Sequence, residues 1–320
     1  MGVQAAIRKY GERAEAAVYK EIKQLDEMEA LVPVHKWKGP HKPLECIVQV
    51  TEKCDEQRTL KGRACADGRG QRDYFRKEET SSPTVSVEAL MLSCIIDAYE
   101  NRDVATVDVP GAFLQTAMDD LVYMTIRGDA ARQLVKANPD KYGSFLKTGK
   151  RGEPYIITKL KKAVYGTLKA SKLFWMVLTR FLEDDGFVVN PFDQCVANKV
   201  INGTQATITW HVDGLKISHV NPQVVTDLIG MLNSRFGTVK PLSENRGKIH
   251  DYLEMRIDFS DLGKVVIDMR AYLREVLGSI LDEFLEGGER MQSPAGDHLF
   301  TVNEKAAKLS VKLKEFFIYC

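Results

Sequence analysis

Between Cys195 and Val220 three apolar runs alternate with two tight-turn dipeptides, Asn202-Gly203 and Asp213-Gly214. Asn-Gly and Asp-Gly are the strongest short-range hairpin signals, because both central residues of a type I′ turn need positive φ. The spacing predicts a three-stranded antiparallel meander, Cys195 to Ile201, Gln205 to Val212 and Leu215 to Val220. Helical patterns flank it. After Pro83-Thr84, apolar residues recur at Val87, Leu90, Met91, Cys94, Ile95 and Ala98. From Ala170 to Asp185, Phe174, Val177, Leu178, Phe181 and Leu182 make a buried stripe that Trp175 fits as a core residue, and Gly186 is placed to end the helix. A further helix is expected from Pro222 to Phe236, and a hairpin-like pair over Tyr252 to Phe259 and Lys264 to Met269. Helices mixed with tight antiparallel turns predict an α+β fold.

The rest of the chain sets the boundaries. Ala5 to Ala30 has helical composition, and Leu31 to Pro43, with three prolines, reads as a linker. Thr59 to Lys77 is basic, glycine-bearing and too polar for core, and Gly128 to Gly152 reads as loop and short helix. The predicted organisation is a helical lead and linker over 1–43, a main unit over 44–270 and a truncated unit over 271–320. The 320 residues are 44% hydrophobic, enough for one large domain or two modest ones. Charge is balanced, 45 basic against 44 acidic residues, so any basic surface is local. The six cysteines include no CxxC pair and no zinc spacing, which suits reduced intracellular thiols. No apolar run is long enough to span a bilayer, and the charged N-terminus does not suit a signal peptide. The sequence therefore predicts an intracellular protein with no membrane partner, and leaves its oligomeric state open.

Two aspartates sit in β contexts at turns: Asp108 in ATVDVPGAF and Asp213 in TWHVDGLKISH. On neighbouring strands they would converge on a divalent cation, since magnesium takes oxygen ligands and keeps phosphates in its shell. Taken singly, each is equally an ordinary turn residue. Lys159, Lys161, Lys162, Lys169 and Lys172 either follow a nucleic-acid backbone or form the wet face of a helix. Walker, HExxH, GxSxG and dinucleotide motifs are absent.

The blocks ATVDVPGAFLQTAMDDLVYM, TKLKKAVYGTLKASKLFW, WHVDGLKISH, DYLEMRIDFSDLGKVVIDM and SPAGDHLF, in that order, resemble the copia-type retrotransposon reverse transcriptases. The resemblance extends upstream through TLKGRACADGRGQ. It implies a right-hand polymerase fold with fingers, a ferredoxin-like palm and an incomplete thumb, and RNA-directed DNA polymerase activity by two-metal nucleotidyl transfer. It implies that Asp108, Asp213 and the Val109 backbone hold Mg²⁺, with Mn²⁺ as a substitute. Lys61 and Arg63 would contact the incoming triphosphate, Phe113 would exclude a ribose 2′-hydroxyl, and Tyr165 and Gly166 would border the nucleotide. Leu253, Glu254 and Met255 would support the primer end. The implied partners are an RNA template, a DNA primer or RNA–DNA hybrid, and deoxynucleoside triphosphates, in cytoplasm or a virus-like particle.

The sequence departs from that pattern in three places. Gly214 stands where the family has a second aspartate in the turn. Glu254 stands where it has glycine. VKLKEFFIYC ends the sequence where the family continues toward ribonuclease H. These departures predict impaired activity, with a catalytically silent nucleic-acid-binding remnant or a non-functional retroelement fragment as the alternative.

Overall fold

The computed structural model describes residues 1–52 and 58–279. Its elements begin with α1 (Val3–Tyr10), α2 (Glu12–Glu27), β1 (Leu31–Val34), β2 (Leu44–Glu52), β3 (Leu60–Ala66), α3 (Lys77–Thr80) and α4 (Val87–Tyr99). They continue with β4 (Asp103–Asp108), β5 (Tyr123–Arg127), α5 (Gly128–Ala137), α6 (Pro139–Tyr142), β6 (Lys147–Thr148), β7 (Pro154–Leu160) and α7 (Ala170–Asp184). The remainder are β8 (Val188–Val189), β9 (Val196–Ile201), β10 (Thr204–His211), β11 (Gly214–His219), α8 (Pro222–Phe236), β12 (Ser243–Arg246), β13 (Ile249–Tyr252), β14 (Met255–Asp258), β15 (Val266–Asp268) and α9 (Arg270–Ser279).

The predicted meander is the heart of a six-stranded sheet ordered β12-β4-β11-β10-β9-β8. Within it, β4, α7, β10, β11, α8 and β12 follow in sequence as β-α-β-β-α-β. Their spatial order β12-β4-β11-β10 is that of a ferredoxin-like unit. Its core gathers Phe174, Leu178 and Leu182 of α7, Val225, Leu228 and Leu232 of α8, and Ile208, Trp210, Leu215 and Ile217 of the sheet. A second core lies under the sheet β1-β7-β5-β2-β3, against α1, α2 and α5. The chain builds β1 to β3 there, crosses to β4, returns for β5 to β7 and crosses back to α7, and the end of β3 meets the Tyr165–Gly166 loop at the junction.

Several expectations hold. Asn202 and Gly203 both have positive φ, 53° and 80°, as a type I′ turn demands. Gly186, at φ 87°, follows α7, and the Phe187 amide donates to the Leu182 carbonyl, closing the helix. Trp175, expected in the core, instead packs half-buried against it and donates to the Gln194 carbonyl at 3.2 Å.

Others change. Leu31–Val34 is not linker but strand β1, paired with β7. Pro33 misleads because β1 is an edge strand, where a missing backbone donor costs nothing. The helical segment before it packs into the fold: Ala14, Val18, Ile22 and Leu25 of α2 are buried in the second core. The basic stretch from Thr59 contributes a core strand, because Gly62, Ala64 and Ala66 alternate inward while Lys61 and Arg63 face out. Gly62 is there for contact: a Cβ would stand 2.6 Å from the Ala17 carbonyl of α2. On α4, Leu90, Cys94 and Ala98 are buried but Val87 and Ile95 are exposed, so the stripe read from sequence is too wide. Cys54, Cys320 and nearly all of the expected thumb, apart from α9, lie outside the described residues. Cys46, Cys65, Cys94 and Cys195 are free thiols. Among the described residues no helix is long and apolar enough to cross a membrane.

Candidate active site

β4 and β11 pair antiparallel with Asp108 opposite Gly214, which brings Asp213, one residue earlier in the turn, close to the same end of the sheet. The Val109 amide donates to the Asp213 carbonyl at 3.0 Å, tying the two chain segments together. Burial pushes the Asp108 carboxyl up from the ordinary aspartate value. The Asp213 carboxylate adds to that rise and Lys61 opposes it. A neighbouring negative charge disfavours the ionised form of Asp108 unless a cation intervenes. The Tyr165 hydroxyl donates to Asp213 Oδ2 at 3.4 Å, and burial followed by the Asp213 charge pushes that phenol up.

The turn itself is displaced from expectation. His211 pairs with Gly214, so the two loop residues are Val212 and Asp213, and Gly214 is the first residue of β11. Positive φ falls on Val212, at 57°, and on neither Asp213 nor Gly214. That is the signature of a type II′ turn, with valine where glycine is usual. A β-branched residue in this region is strained by about 1–3 kcal/mol. The surrounding sheet registers over-determine the conformation, and the strained position lies next to a candidate metal ligand. Asp-Gly is therefore not the turn dipeptide here, and Gly214 is not needed for backbone freedom.

A second hairpin supports the first. β13 and β14 pair through Tyr252 and Met255, leaving Leu253 and Glu254 as the loop, at φ 52° and 60°. The Tyr252 hydroxyl donates to the Gly214 carbonyl at 2.9 Å, linking this loop to the turn that carries Asp213. Glu254 thus occupies the left-handed region where the resemblance expects glycine. A left-handed L-residue costs about 1–2 kcal/mol, partly offset by the unfolded-state entropy that glycine adds. Glu254→Gly is expected to stabilise the protein by about 1 kcal/mol, raising Tm by a few degrees. Thermal denaturation of the two proteins checks this, and an unchanged or lower Tm would contradict it.

Lys61 and Arg63 stand on the exposed face of β3 and, with Tyr165, Asp213, Gly111 and the α2 residues Glu21 and Gln24, line a cleft of about 360 Å³. Phe113 follows Gly111, which is left-handed at φ 59°, in a short 3₁₀ turn. Its largely buried ring lies 4.3 Å from that of Tyr165. Gly166 is a packing glycine: its φ is 88°, and a Cβ would stand 2.0 Å from the Ala66 carbonyl. The Ala66 amide in turn donates to the Tyr165 carbonyl at 2.6 Å.

Three of the five clustered lysines are engaged within the chain. Lys161 pairs with Glu29, Lys169 with Asp119 and Asp120, and Lys172 with the Glu78 carbonyl. One supporting feature escapes sequence reading. Lys216, two residues along β11 from Gly214, is buried and ion-paired with the buried Asp97 of α4. A charge mid-strand gives no sign of which partner will bury it.

Residues 34–284 match the reverse transcriptase (RNA-dependent DNA polymerase) family. The chain belongs to that family. A retrovirus-related Pol polyprotein from the transposon RE1 of Arabidopsis thaliana is 22% identical over 217 residues, 68% of this chain and 13% of that polyprotein. The chain therefore spans about an eighth of the length of this curated relative, and the copia-type resemblance read from its blocks holds. Among solved structures, the prototype foamy virus protease–reverse transcriptase overlaps with a TM-score of 0.38 at 14% identity, covering 72% of this chain and 24% of the other. Telomerase from Candida albicans, solved with a fragment of telomeric RNA, overlaps with a TM-score of 0.39 at 9% identity, covering 77% and 51%.

The fold is the right-hand polymerase fold, with the ferredoxin-like sheet as its palm. A non-functional remnant is not favoured: the paired carboxylates, both hairpins and the cleft are intact around Gly214.

Proposed function

We propose that this chain carries out RNA-directed DNA synthesis, extending a DNA primer on an RNA template with deoxynucleoside triphosphates. The observation that carries the reading is the β4–β11 register, which brings the segments bearing Asp108 and Asp213 together at one end of the sheet, with Asp213, Lys61 and Arg63 lining one cleft. The family is metal-dependent. Among the described residues no three of His, Cys, Asp and Glu group closely enough to hold a metal ion by themselves. Two hard carboxylates do suit magnesium, which is commonly held by one or two carboxylates with substrate phosphates and water completing its shell. We assign Mg²⁺, with Mn²⁺ as substitute, to Asp108, Asp213 and the Val109 backbone. When bound, the ion supplies charge neutralisation at the phosphates and acidifies the primer hydroxyl.

The remaining work falls to the chain's own groups. Lys61 and Arg63 neutralise and orient the triphosphate, Arg63 through its planar fork. Phe113, braced by Tyr165, closes the space a ribose 2′-hydroxyl would need. Tyr165 also keeps Asp213 in place. Gly166 serves the nucleotide indirectly, by letting the Tyr165 loop dock on β3. The Leu253–Met255 loop sits beside the primer end, tied to the turn through Tyr252. Residues 44–270 form fingers and palm, to which the N-terminal helices add a wall.

Primer extension on an RNA template with magnesium or manganese tests the assignment. The unaltered chain is expected to show weak, template-dependent extension that falls roughly tenfold or more in Asp108→Asn. No extension from either the unaltered chain or Gly214→Asp would overturn it.

A further inference from the structure

Residues before 34 lie outside the family match, yet α2 forms part of the nucleotide cleft. Its apolar stripe, Ala14, Val18, Ile22 and Leu25, is buried in the second core. Glu21 and Gln24, three residues apart and so on one face, are left at the cleft. Glu21 is fixed there: its Oε1 accepts the Ala64 amide at 3.0 Å, next to Arg63 on β3. Burial pushes its carboxyl up, while the Ala64 amide and the Lys61 and Arg63 charges pull the other way. Gln24 is half-buried and lies over the turn joining Asp108 to Phe113, since a Cβ on Gly111 would stand 2.9 Å from its Nε2. Its carboxamide makes no hydrogen bond among the described residues. A half-buried amide in that state gains when a ligand supplies a partner.

We propose that α2 completes the nucleotide site. The Gln24 carboxamide hydrogen-bonds the sugar–triphosphate portion of the incoming deoxynucleotide, and the Glu21 carboxylate tempers the charge of the Lys61–Arg63 wall. The inference rests on the polymerase reading above. On it, the two side chains act in opposite senses: Gln24 tightens nucleotide binding, and Glu21 weakens it by placing negative charge beside the phosphates.

The test is ternary-complex formation by the full chain on an RNA–DNA hybrid with a chain-terminated primer, titrated with the next complementary deoxynucleotide in magnesium and read by gel mobility. Gln24→Leu is expected to raise the half-saturating nucleotide concentration roughly fivefold, the worth of one neutral hydrogen bond. Hybrid affinity and Tm should stay unchanged. Glu21→Gln keeps an acceptor for Ala64 and is expected to lower the half-saturating concentration. A Gln24→Leu curve that overlays the unaltered one overturns the proposal. So does a parallel loss of affinity and Tm in both variants, which would show only that the helix must dock. If the unaltered chain binds hybrid but forms no nucleotide-dependent complex, the polymerase reading fails and this inference falls with it.

Discussion

Gly214→Asp is expected to raise primer extension by roughly 10²–10⁴-fold, the equivalent of about 3–5 kcal/mol of transition-state stabilisation. The structure has room for a Cβ at this position. A Cβ at 214 would make ordinary contacts at 3.4 Å with the Tyr252 ring and 3.6 Å with Asp108 Oδ1. The backbone there is not left-handed, so aspartate brings no conformational penalty. What it brings is a third carboxylate next to two that already repel. Without metal, Gly214→Asp should therefore be less stable than the unaltered protein, and magnesium should restore its Tm. Extension and thermal denaturation, each with and without magnesium, check both halves. A variant that gains metal-dependent stability but no extension would show that position 214 is not what limits the chemistry.

The pH dependence follows from Asp108. Its carboxyl is raised in the folded state, by burial first and by Asp213 second. The metal-free fold therefore binds a proton there that the unfolded chain has already released. On this group alone, stability falls as pH rises from the usual aspartate range through the raised value. Metal binding needs the ionised form, so extension should be lost as pH falls through that same raised value, earlier than an ordinary aspartate would allow. In Gly214→Asp the added charge should move this loss to higher pH at limiting magnesium. A pH–rate profile at two magnesium concentrations reads the shift.

The palm was legible in the sequence because its signals are local. Asn202-Gly203, the stripe of α7 and the helix from Pro222 each depend on neighbours within a few positions. The Asp213 turn was legible as a hairpin but misplaced by one residue, because the sheet register puts positive φ on Val212 against its local preference. The junction was not legible at all. Nothing near Glu21 or Gln24 indicates that α2 will lie against β3. A valine-proline-valine run reads as linker until β7 is known to cover one side of it. Gly62, Gly68 and Gly166 mark these crossings, but a glycine in sequence does not say whether it serves φ or contact.

Gly166→Ala is expected to destabilise the protein by roughly 4–5 kcal/mol, a lowering of Tm of about 10–15 °C, or to leave it unable to accumulate in folded form. Two costs combine. The residue is left-handed at φ 88°, which penalises any Cβ, and that Cβ would stand 2.0 Å from the Ala66 carbonyl and 3.1 Å from the Ala66 amide nitrogen. Those neighbours are backbone atoms at the end of β3, so relief requires the two segments to part. Parting them breaks the 2.6 Å hydrogen bond from the Ala66 amide to the Tyr165 carbonyl. Gly68 faces the same loop, its would-be Cβ 2.1 Å from the Gly166 carbonyl, so no compensating slide is available in that direction. Since β3 also carries Lys61 and Arg63, and Tyr165 braces Phe113 and Asp213, the damage should extend to nucleotide binding in whatever protein remains folded. Gly203→Ala is the control. It too has positive φ, 80°, but no atom lies within 4 Å of its Cβ, so it should cost only the backbone strain of about 1–2 kcal/mol. Equal losses in the two variants would show that the YG loop does not approach β3 as closely as this architecture requires.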